Sequence, residues 1–184
     1  MIPNVERVAF SALANSCNNF DPSLKIGEGA TGEVFRTTQR DFAIKRLSLQ
    51  EGATPEEEAA LSRAFEAELA TLSSYCHPRL VRLVSYAKED NPSTRFPYVL
   101  CFEFLEEGSL ADHLMGPNGE APKLAGPLTP LERVDAALGT SAALAYLHGL
   151  PDTDGGGALV VGAAEVIFLR PLYGSIMNLL SLVV

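Results

Sequence analysis

The 184-residue chain lacks tryptophan and has only three cysteines and three histidines. Cys17, Cys76 and Cys101 stand singly, without a C-x-x-C pair. This spacing argues against a disulfide framework or a zinc site and favours a reducing compartment, so we expect a cytoplasmic protein. Because the histidines are equally scattered, we predict no metal-binding residues from local clusters.

Basic charge and long uninterrupted apolar segments are also scarce. The net charge is −9, which disfavours nucleic acid and anionic lipid as partners. The first ten residues lack the basic and then apolar segments of a secretory signal. Near the end of the chain, Glu165, Arg170 and Pro171 divide an apolar stretch into runs shorter than the roughly 20 residues of a membrane helix. We therefore expect neither a nucleic-acid nor a membrane partner.

Apolar residues make up 47% of the chain, enough for a hydrophobic core. Their periodicity predicts three strands, a helix, two strands and then helices, which is an α+β fold with an antiparallel sheet carrying one helix. Thr54 to Glu57 fits a capping box with proline at the first helical position, and the helix is predicted to run to about Ser73. The predicted strands are 24–26, 33–38, 42–47, 79–87 and 98–104; the other predicted helices lie in 1–20, near 106–115 and in 131–148.

The stretch KIGEGATGEVF, residues 25–35, contains a G-x-G-x-x-G pattern that can cradle phosphate. A P-loop would need Lys and Ser/Thr where Glu33 and Val34 stand. A dinucleotide-binding loop would need a helix after the glycines, whereas residues 33–38 are strand-like and another strand follows. The third type is a hairpin lying over the phosphates. The three glycines are Gly27, Gly29 and Gly32.

The hairpin type requires a valine two residues after the last glycine and a lysine on the next strand. Val34 and the Lys45 of FAIK meet both requirements. Glycine turns alone, with Lys45 as an exposed strand lysine, are the alternative interpretation. The combination favours a lysine that lies in a pocket.

A pocket lysine of this type pairs with an acid on the following helix. Glu66 and Glu68 are the candidates. Glu68 falls within the apolar stripe of that helix, and a buried acid is costly unless it is paired. We therefore predict that Glu68 is the partner of Lys45, the alternative being a boundary glutamate that reaches solvent. The stripe consists of Leu61, Phe65, Leu69 and Leu72.

These motifs, in this order, resemble the protein kinase family, and most of all its receptor-like and Pelle/interleukin-receptor-associated members. The resemblance covers about residues 8–149. It implies an N-terminal extension (1–20), a small ATP-binding lobe with a five-stranded antiparallel sheet and one helix (21–103), a hinge with a partial helical large lobe (104–150), and a glycine-rich linker with an apolar tail (151–184). The similar stretches are NNFDPSLKIGEGATGEVF, FAIK, FEAELATLSSYCHPRLVRLVSY, YVLCFEFLEEGSLADHL and LTPLERVDAALGTSAALAYLH.

By resemblance, the glycine hairpin would cover the phosphates of ATP, and apolar residues beside it would sandwich the adenine. The lysine and glutamate would form the family's ion pair. A gatekeeper and a hinge would meet the adenine edge. Ala30 and Thr31 depart from the Gly/Ser-Phe pair common at this loop tip. The implied ATP-binding residues are Ile26, Gly27, Glu28, Gly29, Ala30, Thr31, Gly32, Val34, Ala43, Lys45, Glu68, Phe102 (gatekeeper), Glu103 and Leu105 (hinge).

Phosphoryl transfer in this family also needs H-R-D, D-F-G and A-P-E motifs, and none occurs in these 184 residues. Asp152 and Asp154 lie in a D-T-D-G-G-G linker without the Phe-Gly that follows the metal-binding aspartate. We therefore assign no catalytic residue and no metal ligand, although a complete domain would use Mg²⁺. We expect the chain to be inactive in transfer to Ser/Thr hydroxyls.

The sequence leaves several alternatives open for the origin of the tail and for the role of the chain. The tail could arise from a retained intron or shifted frame, pack on the helices between Leu110 and His148, or span a membrane. The chain could be an ATP-binding but inactive domain, a pseudokinase-like scaffold that competes with a full-length kinase for the protein partners of a signalling kinase, or part of a complete, active kinase.

Overall fold

A computed structural model of the chain describes five segments that form parts of two compact units. The first unit comprises Met1–Cys76 and Arg82–Phe104, and the second comprises His77–Val81 and Leu105–Val184. Ala30, Thr31, the predicted helix near 106–115 apart from its first residue, and the tail lie outside the described residues. The described residues are 5–29, 32–49, 52–89, 95–106 and 128–148.

A six-stranded sheet forms the framework of the first unit, in the order β1-β5-β6-β4-β3-β2. The five strands from β2 to β6 pair antiparallel, as predicted. The prediction of a helix within residues 1–20 was wrong at Glu6 and Arg7, which form β1, parallel to β5. Both β1 residues are exposed. A strand of two exposed residues has no hydrophobic periodicity from which it could be predicted. The strands are β1 (Glu6–Arg7), β2 (Lys25–Gly29), β3 (Gly32–Arg36), β4 (Phe42–Leu47), β5 (Leu83–Lys88) and β6 (Tyr98–Glu103).

Three α-helices are described: α1 (Phe10–Ser16), α2 (Pro55–Ser74) and α3 (Pro130–Leu147). The predicted capping box of α2 is present, because Thr54 accepts a hydrogen bond from the Glu57 amide and Glu57 accepts one from the Thr54 amide. A second capping box, not predicted, begins α3 at Thr129. Each box satisfies donors that a helix start leaves without partners.

The two faces of the sheet are covered differently. On one face, Leu13 and Cys17 from the α1 segment join a buried cluster with side chains of β3 to β6. On the other face, α2 is anchored by Phe65, whose ring stacks on Tyr98 at 4.4 Å between centroids. The strand members of the α1-side cluster are Phe35, Ile44, Ala87, Val99 and Cys101.

The second unit contains α3 and the short segment before β5. Arg79 is buried and forms a bidentate ion pair with Asp135 of α3, at 2.8 and 3.0 Å. Its guanidinium lies against Gly139, where a Cβ would come within 3.0 Å of it. The predicted α3 is confirmed. Most of its large aliphatic side chains, such as Leu131 at 78%, are exposed, whereas Gly139, Ala143 and Leu147 are buried. Within the described parts of the chain, no helix is long and apolar enough to span a membrane.

Candidate functional site

The glycine pattern lies on a hairpin formed by β2 and β3. Gly27 pairs with Val34, and Gly29 pairs with Gly32, so the pairing extends to the last described residue of each strand. The register shifts between Lys25 and Gly27, which places a bulge at Ile26. The hairpin is followed by β4 rather than by a helix, as the phosphate-covering loop type requires.

The three glycines differ in how tightly they are packed. A Cβ on Gly32 would overlap the carbonyl oxygen of Arg46 and lie 2.9 Å from its carbonyl carbon. A Cβ on Gly27 would make an ordinary 3.8 Å contact with Val34, and one on Gly29 would meet no described atom within 4 Å. Gly32 therefore allows the close approach of β3 to β4.

One face of the sheet gathers most of the predicted adenine-side residues. Val34 is opposite Lys45 in the β3–β4 register, and Ala43 is opposite Phe102 in the β4–β6 register. Opposed residues share a face, as do residues two apart on one strand, so these four side chains lie together. Phe102 is buried, Val34 and Ala43 are half-buried, and Ile26 is exposed.

Lys45 and Glu68 form the predicted ion pair, with Nζ to Oε1 at 2.8 Å. The side chain of Lys45 is only 11% exposed and that of Glu68 is 27% exposed. Glu66, the alternative partner, is exposed. Lys45 lies opposite Val34, and its ammonium has three donor hydrogens, of which the bond to Glu68 uses one. The ammonium can therefore also bind a phosphate oxygen.

The segment after β6 is held by main-chain hydrogen bonds. The Glu103 amide donates to the Arg82 carbonyl at 3.1 Å, and the Phe104 amide donates to the Asp41 carbonyl at 3.2 Å. The Glu103 carboxylate accepts a bond from the Arg82 amide. Leu105 is half-buried and belongs to the second compact unit. The Glu103 end of the predicted hinge is thus fixed on β6.

The opposite face of the hairpin carries an ionic network that the sequence did not suggest. Glu33 accepts bonds from Lys25 at 2.8 Å and from Arg46 at 2.6 Å, and Lys25 also reaches Glu28 at 2.7 Å. Hydrogen bonds from Lys25 and then Arg46 hold the pKa of Glu33 below the ordinary range of a glutamate. Because successive residues of a strand point to opposite faces, Glu33 and Val34 lie on opposite faces of β3. The sequence did not show that Lys25 and Arg46 would be the partners of Glu33.

Among the described residues, no group of three or more His, Cys, Asp or Glu side chains is arranged to hold a metal ion. The donors gathered at the candidate site are the ammonium of Lys45, which also donates to Glu68, and the main-chain amides of a glycine hairpin. This set suits an anionic ligand rather than a cation.

Comparison with known proteins places these features in a family. Residues 20–150 match the family model described as the protein kinase domain. The chain is 34% identical over 145 residues to a probable receptor-like protein kinase of Arabidopsis thaliana, aligning 77% of this chain with 15% of that protein. It is 32% identical over 138 residues to the interleukin-1 receptor-associated kinase 1 of Bos taurus, aligning 74% of this chain with 18% of that protein.

Two further matches cover larger shares of the matched proteins. The receptor-like cytoplasmic kinase 176 of Oryza sativa subsp. japonica is 34% identical over 158 residues, which are 79% of this chain and 36% of that protein. The solved structure of an apo pseudokinase superposes with a TM-score of 0.62 at 21% identity, over 82% of this chain and 50% of that one. This superposition shows the same fold. The chain thus spans about 15% to 36% of the length of these curated relatives.

Proposed function

The chain belongs to the protein kinase domain family, and on that premise we propose that its small lobe binds ATP. One observation carries the proposal: the partly buried Lys45–Glu68 ion pair, 2.8 Å long, involves a lysine on the same sheet face as Val34 of the glycine hairpin. Holding a lysine and a glutamate out of water is costly for stability alone, which supports a ligand-binding role for the pair. In this proposal the ligand is the triphosphate of ATP.

Each part of the site has a distinct role in this proposal. The main-chain amides of the β2–β3 hairpin would meet the phosphates, and Lys45 would contact the α- and β-phosphate oxygens while Glu68 holds its ammonium in place. Val34 and Ala43 would pack on the adenine, together with Ile26. Phe102 would close the back of the pocket, and the main chain of Glu103 and Leu105 would meet the adenine edge.

We extend the proposal to binding without phosphoryl transfer by these 184 residues. Transfer requires an aspartate that accepts the hydroxyl proton and side chains that hold Mg²⁺. The sequence contains neither H-R-D nor D-F-G, so no step through a metal is assigned to its residues. Loss of the proton acceptor alone would lower the rate by about 10²- to 10⁴-fold. Protein partners of signalling kinases remain the proposed macromolecular contacts.

Nucleotide binding is tested by titrating Mg-ATP into the full chain and following the thermal unfolding midpoint. Ligand that binds only the folded state raises that midpoint in proportion to the logarithm of concentration over Kd. For the wild type we expect a midpoint that stays flat below Kd and rises with the logarithm of the Mg-ATP concentration above it. Lys45→Met should weaken binding at least tenfold, because it removes the charge that meets the phosphates. Glu68→Gln should weaken binding less, because the ammonium remains.

Glu66→Gln is the matched control, since it makes the same change on the same helix at an exposed position. It should titrate like the wild type. A Lys45→Met variant that folds and shows the wild-type rise would contradict the proposed site. Transfer of labelled γ-phosphate to a generic Ser/Thr substrate by the chain alone would contradict the absence of transfer.

A further inference from the structure

Glu33 connects three strands on the side of the hairpin opposite the proposed nucleotide. It lies on β3, its Oε1 accepts a bond from Lys25 on β2, and its Oε2 accepts one from Arg46 on β4. The side chains of Glu33 and Arg46 are only 23% and 16% exposed, respectively. Ion pairs with limited exposure are screened less by salt than fully exposed ones.

Arg46 is itself held firmly. Its guanidinium carbon lies 3.7 Å from the ring centroid of Phe96, 4.5 Å from that of Phe20 and 5.0 Å from that of Phe35. Such cation–π contacts strengthen when the cation is removed from water. Phe20 precedes β2 and Phe96 precedes β6, so the guanidinium is fixed from two separate parts of the small-lobe sheet. One oxygen of Glu33 is thereby anchored to the body of the sheet.

The other oxygen of Glu33 reaches β2, one of the two edge strands of the sheet. β2 is an edge strand that pairs only with β3 among the described strands, and its register is interrupted by the bulge at Ile26. Lys25 stands at the start of this strand and turns both to Glu33 and to the exposed Glu28. The Arg46–Glu33–Lys25 bridge therefore supplements the irregular β2–β3 ladder with a side-chain connection to β4.

We propose that Glu33 is a positioning residue, which holds the glycine hairpin against β4 through the Arg46–Glu33–Lys25 bridge and so sets its affinity for nucleotide. The inference rests on the proposed function for its ligand, but not for its mechanical part. Glu33 does not face the nucleotide, because its neighbour Val34 occupies the opposite face of β3. Without the bridge, β2 keeps its main-chain bonds but samples more open arrangements.

The test combines hydrogen exchange with nucleotide binding in the full chain. In Glu33→Gln, the amides of residues 25–36 should exchange about fivefold faster than in the wild type, the size expected for loss of a partly buried ion pair. The amides of β5 and β6 should be unchanged. The Kd for Mg-ATP should rise by a similar factor, and both differences should shrink in 1 M NaCl, because salt screens the pair.

Two further variants make the outcome decisive. Lys25→Met removes the β2 end of the bridge and should reproduce the local exchange effect, and adding Glu33→Gln to it should produce little more. Glu66→Gln, which makes the same chemical change away from the hairpin, should alter neither readout.

Unchanged exchange in 25–36 for Glu33→Gln, or a uniform increase over the whole sheet, overturns the inference. If the wild type binds no Mg-ATP, the proposed function fails, and the exchange data still decide whether Glu33 holds the hairpin. If the wild type binds and Glu33→Gln loosens the hairpin without changing Kd, the positioning role is overturned while the nucleotide site stands.

Discussion

At the scale of single residues, the three glycines of the G-x-G-x-x-G motif differ in their structural roles. The motif predicts all three from the needs of a phosphate-binding turn, yet only Gly32 is required by packing in the described structure. Its missing Cβ allows the main chain of Arg46 to approach, and Arg46 then binds Glu33 on the neighbouring position. The glycine and the ionic bridge are thus parts of one β3–β4 contact.

Replacing Gly32 with alanine should destabilise the protein even without nucleotide. The added methyl group would overlap the Arg46 carbonyl, so β3 must shift, and overpacking of this kind costs about 1–3 kcal/mol. Urea unfolding of the nucleotide-free protein measures the change. Gly29→Ala is the matched control and should stay within about 1 kcal/mol of wild type, because its Cβ meets no described atom. Equal stability of the two variants would contradict the packing role of Gly32.

At the scale of elements, α2 is a long helix with little buried surface. Phe65 is its one buried residue in the described structure, while the predicted stripe partners Leu61, Leu69 and Leu72 are only half-buried. The helix nevertheless carries Glu68 to Lys45. Since packing contributes less than usual, local features such as the capping box at Thr54 become important for its stability.

We expect Thr54→Ala to lower the free energy of unfolding by about 1 kcal/mol, because it removes the side-chain acceptor of the Glu57 amide. Glu68 lies several turns further along α2, so the Kd for Mg-ATP should change less than twofold. Urea unfolding and the ATP titration measure the two effects. Thr54→Ser keeps the acceptor oxygen and should restore stability; a Thr54→Ser variant as unstable as Thr54→Ala would argue against the cap.

At the scale of the whole molecule, the sequence predicted what depends on local patterns. Strands β2 to β6, the capping box of α2 and the choice of Glu68 over Glu66 all follow from periodicity and spacing, and they are confirmed. The Arg46 cluster could not be predicted, because Phe20, Phe35 and Phe96 are distant in sequence and meet only after the strands assemble. The ATP-binding role of the site stays a prediction.

The N-terminal segment also makes contacts with distant residues that could not be predicted from the sequence. We predicted residues 1–20 as an extension before the small lobe, and the family match begins at residue 20. The structure places Leu13 and Cys17 of this segment in the buried cluster beside Ile44 and Cys101. The apolar residues of a seven-residue helix are too few to show from the sequence which surface they will cover.

A chain that starts at residue 20 should therefore lose most of its stability. Deleting the segment uncovers Ile44, Val99 and Cys101, and loss of several buried side chains costs more than about 4 kcal/mol, a large part of the total for a domain. The reaction of Cys101 with a thiol reagent in native buffer measures this loss of stability. Cys101 is 2% exposed and its pKa is raised by burial. It should therefore be protected in the full chain and reactive after truncation.

The control for truncation is Leu13→Ala in the full chain, which should cost less and keep Cys101 protected. A shortened chain that keeps both the wild-type unfolding midpoint and the protection of Cys101 would show that the N-terminal segment is dispensable.

The parallel pairing of β1 with β5 also affects how the protein is made. Glu6 pairs with Ser85, so the strand partner of β1 is synthesised well after β1 itself. Until β5 and β6 have been synthesised, the apolar side of α1 has no strands to pack against. Contacts between residues this distant in sequence also form slowly. The segment with β1 and α1 therefore depends on chaperone protection until β5 and β6 have been synthesised.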